Sequence, residues 1–241
     1  MKKILLGIIV FVAAQHSHAQ GRIYASLDDI YRDFMLQSHT QFNKSVLNDF
    51  QGLGGANRFM SSQWLQGAAT NNFEASISGN YLFNYDFMGH ELHAKWKDTC
   101  IIVNTSYVKR FFLVDNNKSH FFVKCQALDG PGQYFFESLA FDQDSNDSAK
   151  VQLLKLRKIK SIKTNKNDYL ANFSGDYSDT FDEKLEYYLV LPDQTYSKVK
   201  LNKRSLADAL EKYKTKADAF LKDNNVADED NAAALIRYVN K

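Results

Sequence analysis

The tetrapeptide His90-Glu91-Leu92-His93 is the cluster in this chain that best combines metal-ligating residue types. Two imidazoles and a carboxylate can hold a zinc ion that activates water. The spacing departs from HExxH, whose two-residue spacer sets both histidines on one helical face. On a strand, alternation puts Glu91 and His93 on one face and His90 on the other. Two ligands from one strand do not complete a tetrahedral site. Further ligands would have to come from His120, His39 or a distant carboxylate. The residues therefore read as a polar hairpin face, with no metal and no cofactor. A metal-dependent hydrolase using His90, Glu91 and His93 is the alternative.

Other chemistry is sparser. No Gly-x-Ser-x-Gly elbow occurs. Cys100 and Cys125 sit in apolar runs, where low polarity disfavours the reactive thiolate. A bridge between them would close a loop of about 25 residues, worth roughly 3 kcal/mol. Two buried free thiols are the other reading. Asp142, Asp144 and Asp147 lie in a Ser- and Asn-rich stretch that lacks the rest of a calcium-loop pattern. The run Lys150–Lys166 carries seven positive charges and no negative ones. Just downstream, Asp176, Asp179, Asp182, Glu183 and Glu186 face a single Lys184 in sequence. The expectation is that this acidic stretch folds back and answers the basic one.

Period-2 patterning begins near Trp64 and should position these groups. Phe73, Ala75 and Ile77 alternate with polar residues, as do Tyr81, Phe83, Tyr85 and Phe87. Further strands are expected at Cys100–Val103, Arg110–Val114, His120–Ala127, Tyr134–Phe141, Lys150–Ile162, Leu185–Leu191 and Thr195–Leu201. Turn clusters separate them at Met88-Gly89, Asp115–Lys118, Asp129–Gly132 and Pro192-Asp193. Residues 163–184 read as a long loop. Helical stripes are expected over 22–51 and again after Ser205, which has the form of an N-cap followed by Asp208. Leu206, Leu210, Tyr213, Ala217, Phe220 and Leu221 mark one helix. Ala232, Leu235, Ile236 and Val239 mark a second.

At the start of the chain, Lys2 and Lys3 precede an apolar run over Ile4–Ala14, and Ser17-His18-Ala19 supplies small residues at −3 and −1. These are the parts of a secretory signal, with cleavage after Ala19. The run spans only about 16 Å as a helix, against a hydrocarbon core of about 30 Å. No later apolar run reaches transmembrane length. Removing Lys2 and Lys3 leaves 28 basic and 28 acidic residues, so a globally basic nucleic-acid binder is not indicated.

Several features together are similar to an uncharacterised group of exported proteins from Bacteroidota. They are Trp64-Leu65-Gln66-Gly67, the Tyr134–Leu139 strand before the Lys-rich Val151–Lys160, Tyr187-Tyr188-Leu189-Val190, and the Ser205–Asn240 tail. The resemblance implies export and this architecture; it implies no chemistry.

The expected organisation is a signal peptide over 1–19, a partly helical segment over 20–55, an antiparallel β domain over 56–201 and a helical pair over 202–241. The fold class is α+β, mainly β, as a meander or partly closed barrel with a C-terminal helical hairpin. The expected function is a non-catalytic exported domain, periplasmic, envelope-associated or secreted, with a binding or structural role. A carrier of an apolar ligand in a curved aromatic sheet is a further alternative.

Overall fold

The computed structural model describes residues 58–96, 99–103, 105–129, 134–140, 149–162 and 180–241. The expected signal peptide, the stripes over 22–51 and the carboxylates Asp142, Asp144 and Asp147 lie outside them. Among the described residues, eleven strands form one antiparallel sheet. They are β1 (Leu65–Asn71), β2 (Ser76–Ile77), β3 (Tyr81–Asp86), β4 (Glu91–Trp96), β5 (Thr99–Val103), β6 (Val108–Asp115), β7 (Lys118–Val123), β8 (Phe136–Ser138), β9 (Gln152–Ile162), β10 (Thr180–Val190) and β11 (Tyr196–Val199). Their order is β11-β10-β9-β8-β7-β6-β1-β3-β4-β5, with β2 paired to β1. The chain is thus α+β and mainly β, as the patterning implies.

The sheet curls. Five strand spacings separate β9 from β3, about 24 Å if flat. Yet the Arg157 guanidinium of β9 lies 4.5 Å from the centroid of Phe87, which directly follows β3. Tyr85 of β3 likewise meets Phe122 of β7 at 5.5 Å. The concave side is filled by rings, with Phe111 stacked on Phe122 at 4.6 Å and Phe135 edge-on to Tyr85 at 6.2 Å. Burying each such side chain contributes about 1.5–3 kcal/mol. The ends of the sheet, β5 and β11, do not pair with one another, so the barrel is open.

Local chemistry explains the tight turns. Asn116 and Asn117 both have positive φ, 48° and 60°, between register partners Asp115 and Lys118. Two successive left-handed residues are the type I′ hairpin connection, which Asn tolerates. Gly67 has a different reason. A Cβ there would lie 2.2 Å from the Phe112 carbonyl oxygen, so β1 approaches β6 only because position 67 has no side chain.

Several expected boundaries shift. Phe73 is in a turn, 79% exposed, and not in a strand. The Asn71 side chain accepts from the amides of Phe73 and Ala75 and folds that turn. β7 stops at Val123 because Leu128 and Asp129 donate back to the Cys125 carbonyl. Residues 180–184, expected within a loop over 163–184, are strand. β10 starts at Thr180 and pairs with β9 over eleven residues, from Thr180↔Ile162 to Val190↔Gln152.

The tail holds three helices, α1 (Lys203–Ala209), α2 (Lys214–Asp223) and α3 (Glu229–Val239), with a 3₁₀ turn at Glu211–Tyr213. The first expected helix is broken at Leu210, and α2 packs on α3. Leu206, Leu210, Ala217, Leu221, Leu235, Ile236 and Val239 face Leu153, Leu189 and Val199 of the sheet. Ser205 is not the N-cap. The cap is Asn202, whose side chain accepts from the Ser205 amide at 2.9 Å, while the Ser205 hydroxyl accepts from the Lys200 amide. Asn202→Ala should therefore destabilise the chain by about 1 kcal/mol. A denaturant midpoint unchanged within error would remove this assignment.

Candidate functional site

The β3–β4 hairpin brings Asp86 opposite Glu91 and Asn84 opposite His93. Register partners share a face, so Glu91 and His93 do lie together, and His93 Nε2 is 3.3 Å from Glu91 Oε2. One ligand atom each from Asp86, Glu91 and His93 lies within 4.8 Å of the others. His90 does not join them. It sits in the turn with φ of 54° and its ring meets Tyr134 at 4.4 Å. Burial pushes the His90 imidazole below its ordinary value; Asp86 opposes this and Lys158 adds to it. The His90, Glu91, His93 ligand set is therefore split.

Asp86 is committed elsewhere. Its Oδ1 accepts from the amides of Met88 and Gly89 at 2.9 and 3.1 Å. Its Oδ2 accepts from Arg58 Nε and Nη2 at 2.9 and 2.6 Å. A carboxylate has about four lone-pair positions, and all four are filled. The segment after Arg58 covers this face. Phe59 meets His93 edge-on at 5.7 Å, and Asn84 donates to the carbonyls of Ser61 and Gln63. His93 Nδ1 is buried with no hydrogen-bond partner among the described residues. Glu91 and His93 alone give two ligands. Elemental analysis of protein purified without chelator or affinity tag should show no stoichiometric transition metal. One zinc per chain, lost in His93→Ala, would reverse that conclusion.

A second polar cluster lies on the concave face. The cross-strand path Phe111↔Phe122↔Glu137↔Lys155↔Tyr187 carries that face from rings to charges. Glu137 Oε1 meets His120 Nδ1 at 2.6 Å and Oε2 meets Lys155 Nζ at 2.6 Å. Lys155 also reaches Glu229 of α3 at 3.0 Å, and the Tyr187 hydroxyl donates to Glu229 at 2.8 Å. Burial opposes the charge on Glu137, but the hydrogen bonds from His120 and Lys155 hold its carboxyl below the ordinary range. Burial likewise opposes the Lys155 ammonium, and Glu137 and Glu229 raise its pKa above the ordinary value. Every member faces another, so the cluster fastens α3 to four strands.

The remaining candidates are the cysteines and the basic run. Cys125 is a buried free thiol, pushed up by burial more than two backbone hydrogen bonds lower it. The side chain of Cys100, the other half of the possible bridge, lies outside the described residues. Arg157 pairs with Glu183 at 2.9 Å, so basic and acidic stretches meet across β9 and β10, as the sequence suggests. Asp86 was the residue missed. Its signal was an aspartate at a strand end before Met88-Gly89, the pattern of a side chain capping a turn. Compared with protein-family models, with curated proteins and with solved structures, the chain matches none.

Proposed function

We propose that the mature chain is a non-catalytic exported domain that binds or supports a component of the cell envelope. The observation that supports this best is how the chemically able side chains are used. Asp86 is saturated by Arg58 and two turn amides. Glu137, Lys155 and Glu229 hold one another. Cys125 is buried with its thiol protonated at neutral pH. An active site keeps a nucleophile, base or metal free to meet substrate, and these groups are occupied in holding the fold. Export rests on the Lys2–Ala19 pattern and on the resemblance drawn from sequence. No helix among the described residues is long and apolar enough to cross a membrane.

The test is expression of the full chain in a Gram-negative host, followed by fractionation and intact mass. The expected product starts at Gln20 and is recovered outside the cytoplasm. A cytoplasmic product retaining Met1–Ala19 would overturn the proposal.

A further inference from the structure

The basic run divides between the two faces of β9, and among the described residues only one face is balanced. Lys155 and Arg157 point to the concave side, where Glu137, Glu229 and Glu183 meet them. Lys158 is on the opposite face, as are its register partner Lys184 and, one strand further, Lys198 beside Tyr188. All three ammonium groups converge on Glu186. Its Oε1 lies 3.1 Å from Lys184 and 2.6 Å from Lys198; its Oε2 lies 3.0 Å from Lys158. The Tyr188 hydroxyl donates to Oε2 at 2.9 Å. The four lone-pair positions of Glu186 are then filled. Asp182 on the same face is the register partner of Lys160, so that pair cancels.

We propose that Lys158, Lys184 and Lys198 form a binding site for a phosphate monoester group. The cluster holds three positive charges against one negative, an excess of two. A phosphate monoester carries about −1.5 to −2 at neutral pH and three acceptor oxygens, so it matches in charge and in hydrogen bonding. Each ammonium has three N–H donors and gives one to Glu186, leaving two to spare. These donors reach solvent, because the side chains of Lys158, Lys184 and Lys198 are 37%, 67% and 56% exposed. Glu186 itself is 5% exposed, screened by the lysine stems and Tyr188. It fixes the three cations in place before any ligand arrives, which lowers the ordering cost of binding. Hydrogen bonds from Lys198 and then Lys158 hold the Glu186 carboxyl far below its ordinary range, against opposition from burial. The anchor therefore stays charged across the physiological range. Exposed Tyr196, on the adjacent edge strand, gives the organic part of such a ligand a ring to lie against.

The inference adds a ligand class to the reading of a binding domain. Its test is independent of the export test, since purified mature protein is used. Calorimetric titration with glucose 6-phosphate at low ionic strength should show saturable binding that weakens as salt rises. Glucose should show none. Lys184→Gln with Lys198→Gln should weaken binding by tenfold or more, about 1.4 kcal/mol. Lys118→Gln, on another part of the sheet, should leave it unchanged. Thermal midpoints of all variants check the fold, and the single Lys184→Gln variant is read alone if the double variant is destabilised. Sedimentation with phosphatidylcholine vesicles containing phosphatidic acid separates the sources. Binding to the vesicles and not to the sugar phosphate assigns the site to a lipid headgroup; the converse assigns it to a soluble ligand. Binding to neither probe, or equal loss in Lys118→Gln, would overturn the proposal.

Discussion

Arg58→Ala should lower the free energy of unfolding by about 3 kcal/mol, because it leaves the Asp86 carboxylate buried without its counter-charge. Asp86 is fully buried and Arg58 grips one of its oxygens with two N–H donors. Breaking such a pair from one side costs more than the pair is worth, since an uncompensated charge stays in the protein. The low end of the range applies, because the Arg58 side chain is 29% exposed and water can partly replace it. Arg58→Lys should recover only a fraction, as an ammonium cannot supply the planar fork. Denaturant midpoints with an unchanged slope are the measurement. A loss below about 1 kcal/mol would mean that the amides of Met88 and Gly89 suffice for Asp86. Its second oxygen would then be available as a ligand, and zinc binding by the variant would be the next observation to seek.

The sheet was largely legible because its signals are local. Tyr81, Phe83, Tyr85 and Phe87 alternate, and each except Phe87 lies within β3 with its ring on the concave side. The Asp115–Lys118 turn needs only two residues that accept positive φ. The misreadings share one cause, which is competition from side chain to backbone. Asn71 captures two amides and turns Phe73 out of a strand. Asn202 captures the Ser205 amide and moves the helix start three residues back. Both outcomes depend on which of several polar residues wins an amide, and spacing alone does not rank them. The polar clusters were less legible for another reason. Glu137 and Lys155 are 18 positions apart and Glu229 is a further 74 along. Their meeting follows from sheet order and helix docking, which periodicity does not encode. The basic run was legible in sum but not by face. Its charge is answered only in part by the acidic stretch, because alternation sends Arg157 to Glu183 and leaves Lys158 to share Glu186 with two other lysines.

Lys155→Ala should also cost about 3 kcal/mol, and its pH dependence distinguishes the charge from the packing. Lys155 is largely buried and bridges Glu137 and Glu229. Removing it leaves Glu137 with His120 alone and detaches α3 from β9 at the N-terminal end of the helix. The far end stays clamped, because Asn240 exchanges two hydrogen bonds with the backbone of Val151. Amide exchange should therefore quicken in the first turn of α3 more than in its last. Glu137 has its folded pKa below the unfolded value. Its contribution is complete above about pH 4.3 and is lost as pH falls through the folded value. Lys155 has its folded pKa above the unfolded value. Its contribution is complete below about pH 10.4 and is lost as pH rises through the folded value. The stability difference between wild type and variant should thus shrink as pH falls through the acid range, and again as it rises above about pH 10.4. A difference that stays constant into acid would mean that the aliphatic stem of Lys155, and not its charge, holds α3 in place.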